Sequence, residues 1–176
     1  MSKAIIVVDM QNDFVFGTLA NRAAEDIIPN IRKLLDDARA NDDYIFYTRD
    51  THDYSYSTTQ EGKHLPIEHC IYGTPGWQVV SALEVMPTFT NKVYHIDKNK
   101  FGFDDWIAYS QLGEVEEIIV CGTVTSICVL SQVVLIKAAF PETPIKVYAN
   151  CCADLNSTQQ VAALTCMKAM QVEVVE

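Results

Sequence analysis

The chain has 176 residues, 49% of them hydrophobic, which is enough for a single domain with a substantial buried core. Its 13 Lys and Arg face 23 Asp and Glu, and the resulting net charge of −10 repels phosphate backbones and anionic membrane surfaces, which argues against nucleic-acid or membrane partners. The first apolar run, Ala4-Ile-Ile-Val-Val8, is too short for a signal-peptide core or a membrane span, so a cytoplasmic location is expected.

Taken in chain order, Ala4–Val8 reads as a strand buried in a parallel sheet. Ile27, Ile28, Ile31, Leu34, Leu35 and Ala38 then mark one face of a helix, with Pro29 acceptable in its first turn. Further strands are expected at Tyr44–Thr48, Lys92–Ile96, Glu117–Cys121, Ile145–Ala149 and Val172–Val175. Val129, Val133, Val134 and Ile136 indicate a helix after Gly122, and Val161, Ala162, Leu164, Thr165 and Met170 another before the last strand. This alternation implies an open α/β sheet. One segment breaks the rhythm: from Asp50 to Trp77 there is no apolar period, and so long a loop inside a compact domain is usually functional. With neither GxGxxG nor GxxxxGK present, a nucleotide cofactor has no support.

In an open parallel sheet the site lies beyond the carboxyl ends of the strands, where strand order reverses. That rule brings together residues far apart in sequence: Asp9 after the first strand, Asp50 after the second, Lys98 after the third, and Cys128 after the fourth. A thiol becomes a nucleophile as a thiolate, which a helix N-terminus and a nearby cation such as Lys98 favour. Asp9 would take the thiol proton and later return it to a leaving amine. The plainer alternatives are that Asp9 caps a turn, Lys98 is solvated and Cys128 packs in the core. The six cysteines show no CxxC spacing, which weighs against a disulfide framework or a redox pair.

The long loop holds three of the four histidines. Asp50-Thr-His52 followed by His69 offers one carboxylate and two imidazoles, a ligand set suited to Zn, Mn or Fe. Surface histidines in a polar loop are the alternative reading.

Asp9-Met-Gln-Asn-Asp-Phe14, Lys98-Asn-Lys-Phe-Gly102 and Cys121-Gly-Thr-Val-Thr-Ser-Ile-Cys-Val129 resemble the three signature segments of the isochorismatase-like cysteine hydrolases, in the same order and over nearly the whole chain. The resemblance implies one domain over residues 1–176, a three-layer α/β fold with a six-stranded, mainly parallel sheet and helices on both faces. It implies a catalytic triad of Asp9, Lys98 and Cys128, a non-proline cis peptide between Thr123 and Val124, and an oxyanion hole from the Val124 and Cys128 amides. Asp-x-His and the later His-Cys-x-x-Gly-Thr-x-Gly segment resemble the nicotinamidases of that family, in which a metal ion holds the pyridine nitrogen of the substrate. Carried over, the ligands are Asp50, His52 and His69, with Glu61 or His64 as a fourth, and the expected cofactor is a divalent metal, zinc first, with Mn or Fe as alternatives. Phe14 and Phe101 or Phe103 would wall an aromatic pocket, core packing being the other reading of those rings.

There is one departure. Nicotinamidases commonly place a tryptophan shortly before the second histidine, whereas this chain has Leu65-Pro66-Ile67, and its nearest tryptophan is Trp77. The expectation is cysteine-dependent hydrolysis of a small primary amide, nicotinamide foremost, through a thioester. Alternatives are a family hydrolase acting on a carbamoyl or ureido compound, one acting on isochorismate, whose vinyl ether needs no cysteine nucleophile, or a non-catalytic binding module. A homo-oligomer is also implied.

Overall fold

The computed structural model describes residues 2–85 and 92–176. β1 (Ala4–Val8) and β4 (Ile118–Thr123) are buried at every residue, as strands covered on both faces must be. They pair from Ala4 with Ile118 to Val8 with Gly122. β2 (Tyr44–Asp50) and β3 (Val93–Lys98) extend one side of the sheet, and β5 (Ile145–Ala153) and β6 (Glu173–Val175) the other. The order is β3-β2-β1-β4-β5-β6 and every pair is parallel.

β2 to β5 each end two or more residues beyond the apolar blocks that reveal them in the sequence. Asp50 and Lys98 are therefore not in the following loops but are the terminal residues of β2 and β3, paired with each other in register. The backbone ladder continues under charged side chains, which an apolar pattern cannot register.

The helices are α1 (Asn12–Val15), α2 (Arg22–Asp26), α3 (Ile28–Ala40), α4 (Gln60–His64), α5 (Leu130–Ala139) and α6 (Ser157–Ala169). α3 has Pro29 in its first turn and buries Ile31, Leu35 and Ala38, as its periodicity indicates. Right-handed crossovers run outward from β1 in one direction through α3 and from β4 in the other through α5 and α6, which places these helices on opposite faces. The buried faces of α5 and α6 differ from expectation. α5 buries Val133 and Ile136 but leaves Val134 42% exposed, and α6 buries Ala163 and Met167 while Val161 is 64% exposed. Apolar residues lie all round both helices, so neither has a single stripe to read.

Between β2 and residue 79 the chain forms 3₁₀ turns at Tyr56–Thr58 and Pro75–Trp77 with α4 between them. Two isolated bridges, His52 with Ile71 and Gln11 with Val79, strap this loop to the end of the sheet. Among the described residues no helix is long and apolar enough to cross a membrane.

Candidate active site

Strand order reverses between β1 and β4, so their carboxyl ends flank the crevice of the sheet. Asp9 leaves β1 in the left-handed region, φ 50°, with its carboxylate fully buried. Few non-glycine residues adopt that conformation, and those that do concentrate at functional sites. On the other flank, Gly122 has φ 123°, and a Cβ there would lie 2.1 Å from the Val8 carbonyl oxygen, so only glycine fits against β1. The chain then passes through a cis peptide at Thr123–Val124 and a wide helical turn, Thr125–Val129, that delivers Cys128 and runs on into α5.

Lys98 reaches in from β3. Its ammonium is 2.7 Å from Asp9 Oδ2, 3.8 Å from Asp50 Oδ1 and 4.0 Å from Cys128 Sγ. At that distance the ammonium both pairs with and hydrogen-bonds to Oδ2. The other oxygen, Oδ1, accepts a 2.6 Å hydrogen bond from the Thr48 hydroxyl. Burial pushes the Asp9 carboxyl up, and the Lys98 charge only partly offsets this. Burial, joined by the Asp9 charge, also pushes the Cys128 thiol well above its ordinary value, more than Lys98 draws it down. Burial thus opposes the help that Lys98 and the helix terminus are expected to give the thiolate, which leaves the neighbouring Asp9 carboxylate as the group placed to take the thiol proton.

A second cluster adjoins the first through Asp50. His52 Nε2 and His69 Nε2 lie 2.9 and 3.3 Å from Asp50 Oδ2, and both nitrogens are 3.8 Å from Glu61 Oε1. All four ligand atoms fall within 4.8 Å of one another. The structure therefore brings Glu61 to this cluster from the first turn of α4, whereas His64, at the other end of that helix, is exposed and turns Nδ1 to the Gln60 carbonyl. His69 Nδ1 is 2.8 Å from the Ile67 carbonyl, which can only accept, so Nδ1 carries a hydrogen and Nε2 is the nitrogen turned to the cluster. Burial would raise the Asp50 carboxyl, but hydrogen bonds from the two histidines and the Lys98 charge hold it well below the usual carboxylate range. Burial and the Asp50 charge push Glu61 up. Two carboxylates and two imidazoles, one with its tautomer fixed, form a donor set that fits a divalent cation.

Several supporting residues were not singled out from the sequence. Gln11 is fully buried; its side chain donates to the Asp50 and Trp77 carbonyls and accepts from the Asp50 N–H, clamping the end of β2 to the far end of the loop. Asp13 Oδ2 accepts from the Cys70 N–H at 2.8 Å, next to His69. Cys70 itself has φ 47° and a buried thiol raised by burial. Tyr56 packs against both imidazoles, 4.7 Å from His52 and 5.0 Å from His69. Asp154, at the end of β5, accepts from the Ser126 N–H at 2.7 Å and so ties down the turn that carries Cys128. Gln11 and Asp13 sit inside the Asp9–Phe14 segment, so the signal was present, but their roles depend on contacts some forty or more residues away.

Both clusters open onto one cavity of about 180 Å³, which Thr123, Val124 and Cys128 line together with Asp50, Glu61 and His69. Phe14 and Phe101 line it, and the Phe14 ring lies 5.5 Å from that of His69. Phe103 does not line it. That ring packs edge-on against Trp106, centroids 5.3 Å apart, within the aromatic layer beside Phe46 and Tyr109, because one residue beyond Gly102 the chain has turned toward the core. Trp77 is also outside, covered by the Arg49 guanidinium at 3.9 Å.

An isochorismatase domain profile matches residues 3–176. The chain belongs to the isochorismatase family. Its six-stranded parallel sheet is the open α/β fold of that hydrolase family. Among solved structures, it is similar to the pyrazinamidase/nicotinamidase of Streptococcus mutans at 27% identity and TM-score 0.85, covering 99% of this chain and 100% of that one. It is similar to the nicotinamidase/pyrazinamidase of Bacillus subtilis at 25% identity and TM-score 0.87, with full coverage of both chains. The pyrazinamidase of Pyrococcus horikoshii, solved in complex with zinc, shares the fold at 22% identity and TM-score 0.85, over 100% of this chain and 99% of that one. No curated protein sequence shows significant similarity to the chain.

Proposed function

We propose that this single hydrolase domain is a cysteine amidase that holds a divalent metal and cleaves a small heteroaromatic primary amide, nicotinamide to nicotinate and ammonia being the leading case. The observation that carries the reading is one cavity lined both by Cys128 and by three of the four ligand-type residues, Asp50, Glu61 and His69. A cavity of roughly 150 Å³ holds a benzene ring, so about 180 Å³ takes one six-membered ring with its carboxamide and no second ring. The relatives from Streptococcus mutans and Bacillus subtilis support the same substrate class.

The chemistry follows from the geometry. The Cys128 proton passes to Asp9 Oδ2, and the sulfur attacks the amide carbon. The carbonyl electron pair moves onto oxygen, where the Val124 and Cys128 N–H groups hold it. Asp9 returns the proton to nitrogen as the C–N bond breaks, and ammonia leaves a thioester. Water then gives a proton to Asp9 as it adds to the same carbon, the C–S bond breaks, and the thiol recovers that proton. Burial opposes the Lys98 charge, but Asp9, Cys128 and Asp50 outweigh it, so Lys98 stays cationic and stabilises each anionic partner in turn. Asp50, His52, Glu61 and His69 would hold the metal, which when bound supplies a Lewis-acid anchor for a ring nitrogen. The zinc complex of the Pyrococcus horikoshii relative supports zinc as the ion to try first.

The reading includes a cytoplasmic homo-oligomer.

Ammonia release from nicotinamide, pyrazinamide and an N-carbamoyl amino acid, measured with and without chelator, tests the proposal. Nicotinamide should be hydrolysed, slowed by chelator and restored by zinc, and Cys128→Ala should fold but release no ammonia. Turnover by folded Cys128→Ala would sink the covalent mechanism. Chelator-insensitive turnover of the carbamoyl compound alone would assign the metal-type cluster a structural role.

A further inference from the structure

The ring-sized cavity is not isolated. Across Glu61, Leu65, Phe101 and Ile127, which belong to both, it adjoins an outer groove of about 790 Å³. That volume lies within the roughly 300–1,000 Å³ of small-molecule sites, whereas the inner cavity lies below it. Of the residues the reaction above uses, only His52 and Glu61 of the metal-type cluster line the groove.

Its chemistry is legible from which polar groups are already engaged. Asp53 accepts from the Ser55 N–H and hydroxyl, Lys100 pairs with Asp104 at 2.6 Å, and His52 and Glu61 belong to the metal-type cluster, so each charged group has a neighbouring partner. The Tyr56 hydroxyl donates to the Leu65 carbonyl. What remains uncommitted among the described residues is neutral hydrogen-bonding capacity: the exposed side-chain amides of Gln60 and Asn99, and His64 Nε2, since Nδ1 faces the Gln60 carbonyl. Carboxamides offer donors and acceptors together, which suits hydroxyl groups better than a carboxylate or an ammonium. The partition between the two spaces is built from the aliphatic side chains of Leu65 and Ile127 and the half-exposed Phe101 ring, with Glu61 as its polar member.

From these observations we infer that the enzyme accepts ring carboxamides bearing a hydroxylated substituent: the ring and amide occupy the inner cavity, and the substituent passes between Leu65 and Phe101 to hydrogen-bond with Gln60 and Asn99 in the outer groove. This rests on the amidase reading and narrows its substrate class.

The test compares kcat/KM for nicotinamide with that for nicotinamides carrying hydroxymethyl or dihydroxyethyl groups at ring carbons 5 and 6, in wild type and in a Gln60→Ala, Asn99→Ala double variant. At least one substituted amide should be hydrolysed within tenfold of nicotinamide. The double variant should lose about tenfold on that amide, the effect of two neutral hydrogen bonds, with nicotinamide unchanged. If wild type hydrolyses nicotinamide but every substituted amide a hundredfold more slowly, the groove does not receive a substituent and the inference is overturned. Equal loss on both substrates in the double variant also overturns it. Hydrolysis of a substituted amide but not of nicotinamide upholds the groove and replaces the leading substrate, whereas hydrolysis of neither defeats the amidase reading and the inference with it.

Discussion

Asp9 meets three demands at one position: it leaves β1 with φ 50°, it pairs with Lys98 through Oδ2, and it accepts from the Thr48 hydroxyl through Oδ1. The burial that raises its carboxyl makes it a stronger base toward the thiol, and the Lys98 charge opposes that rise. Asp9→Asn preserves size and can still accept from Thr48, yet it cannot shuttle protons. Amide turnover should fall by roughly 10²–10⁴-fold, the usual loss on removing a general acid–base. Because protonation of the leaving group is half of the proposed role, an ester or anilide with a good leaving group should recover part of that rate. A defect of the same size for every leaving group would remove Asp9 from the acid role, leaving Lys98 as the nearest alternative. At this scale the sequence was informative about the reacting groups and less so about what holds them. Asp9, Lys98 and Cys128 stand out because chemistry-bearing residues at strand ends are few, whereas Gln11, Asp13 and Asp154 act through backbone groups of distant segments and show nothing in their own spacing.

At the scale of elements, a different cluster holds the sheet together at the end away from the site. Glu117, just before β4, is 2.6 Å from Lys3 before β1 and 2.8 Å from Lys146 on β5, so one buried carboxylate links three adjacent strands. Burial would raise its pKa, but the hydrogen bonds from Lys146 and Lys3 prevail and hold it below the ordinary value. A carboxyl depressed in the folded state stabilises at pH above its unfolded pKa, near 4.3, and that stabilisation is lost as pH falls through the folded value. Glu117→Gln should therefore be less stable than wild type by about 1–2 kcal/mol at pH 7, a figure reduced because both lysines are partly solvated. The gap should close toward pH 3, as urea unfolding at several pH values would reveal, and a gap independent of pH would mean the lysine pairs are not its source. The central strands β1 and β4 were legible because they are short apolar, β-branched blocks buried on both faces, and the edge strands β3 and β6 because Val, Ile and Tyr still dominate them. Their ends were not, because Asp50 and Lys98 remain in the ladder for backbone reasons, and the short turns of α4 and its neighbours carry no period long enough to detect.

For the whole molecule, the consequential feature is that the metal-type cluster does not preexist in the unfolded chain. Asp50 closes β2, Glu61 rides on α4, and His52 and His69 sit on strands of loop bridged to each other's neighbourhood by the His52–Ile71 pairing. An ion bound by all four joins the loop to the sheet, and because the unfolded chain cannot present the four groups together, binding must stabilise the native state. At free zinc a hundredfold above its dissociation constant the gain is about 2.7 kcal/mol. For a domain of this size each kcal/mol moves the melting temperature by about 2–4 °C, so zinc should raise Tm by roughly 5–11 °C and a chelator should reverse the shift. A His52→Ala, His69→Ala double variant should bind no zinc by metal analysis and show no shift, while Cys128→Ala should retain the full shift because its sulfur is outside the ligand set. A Tm shift that persists in the histidine double variant would place the ion elsewhere. A shift lost in Cys128→Ala would make the thiol a ligand, in which case the sulfur could not serve as the free nucleophile, and the division of the cavity's residues into a nucleophile cluster and a metal cluster would have to be abandoned.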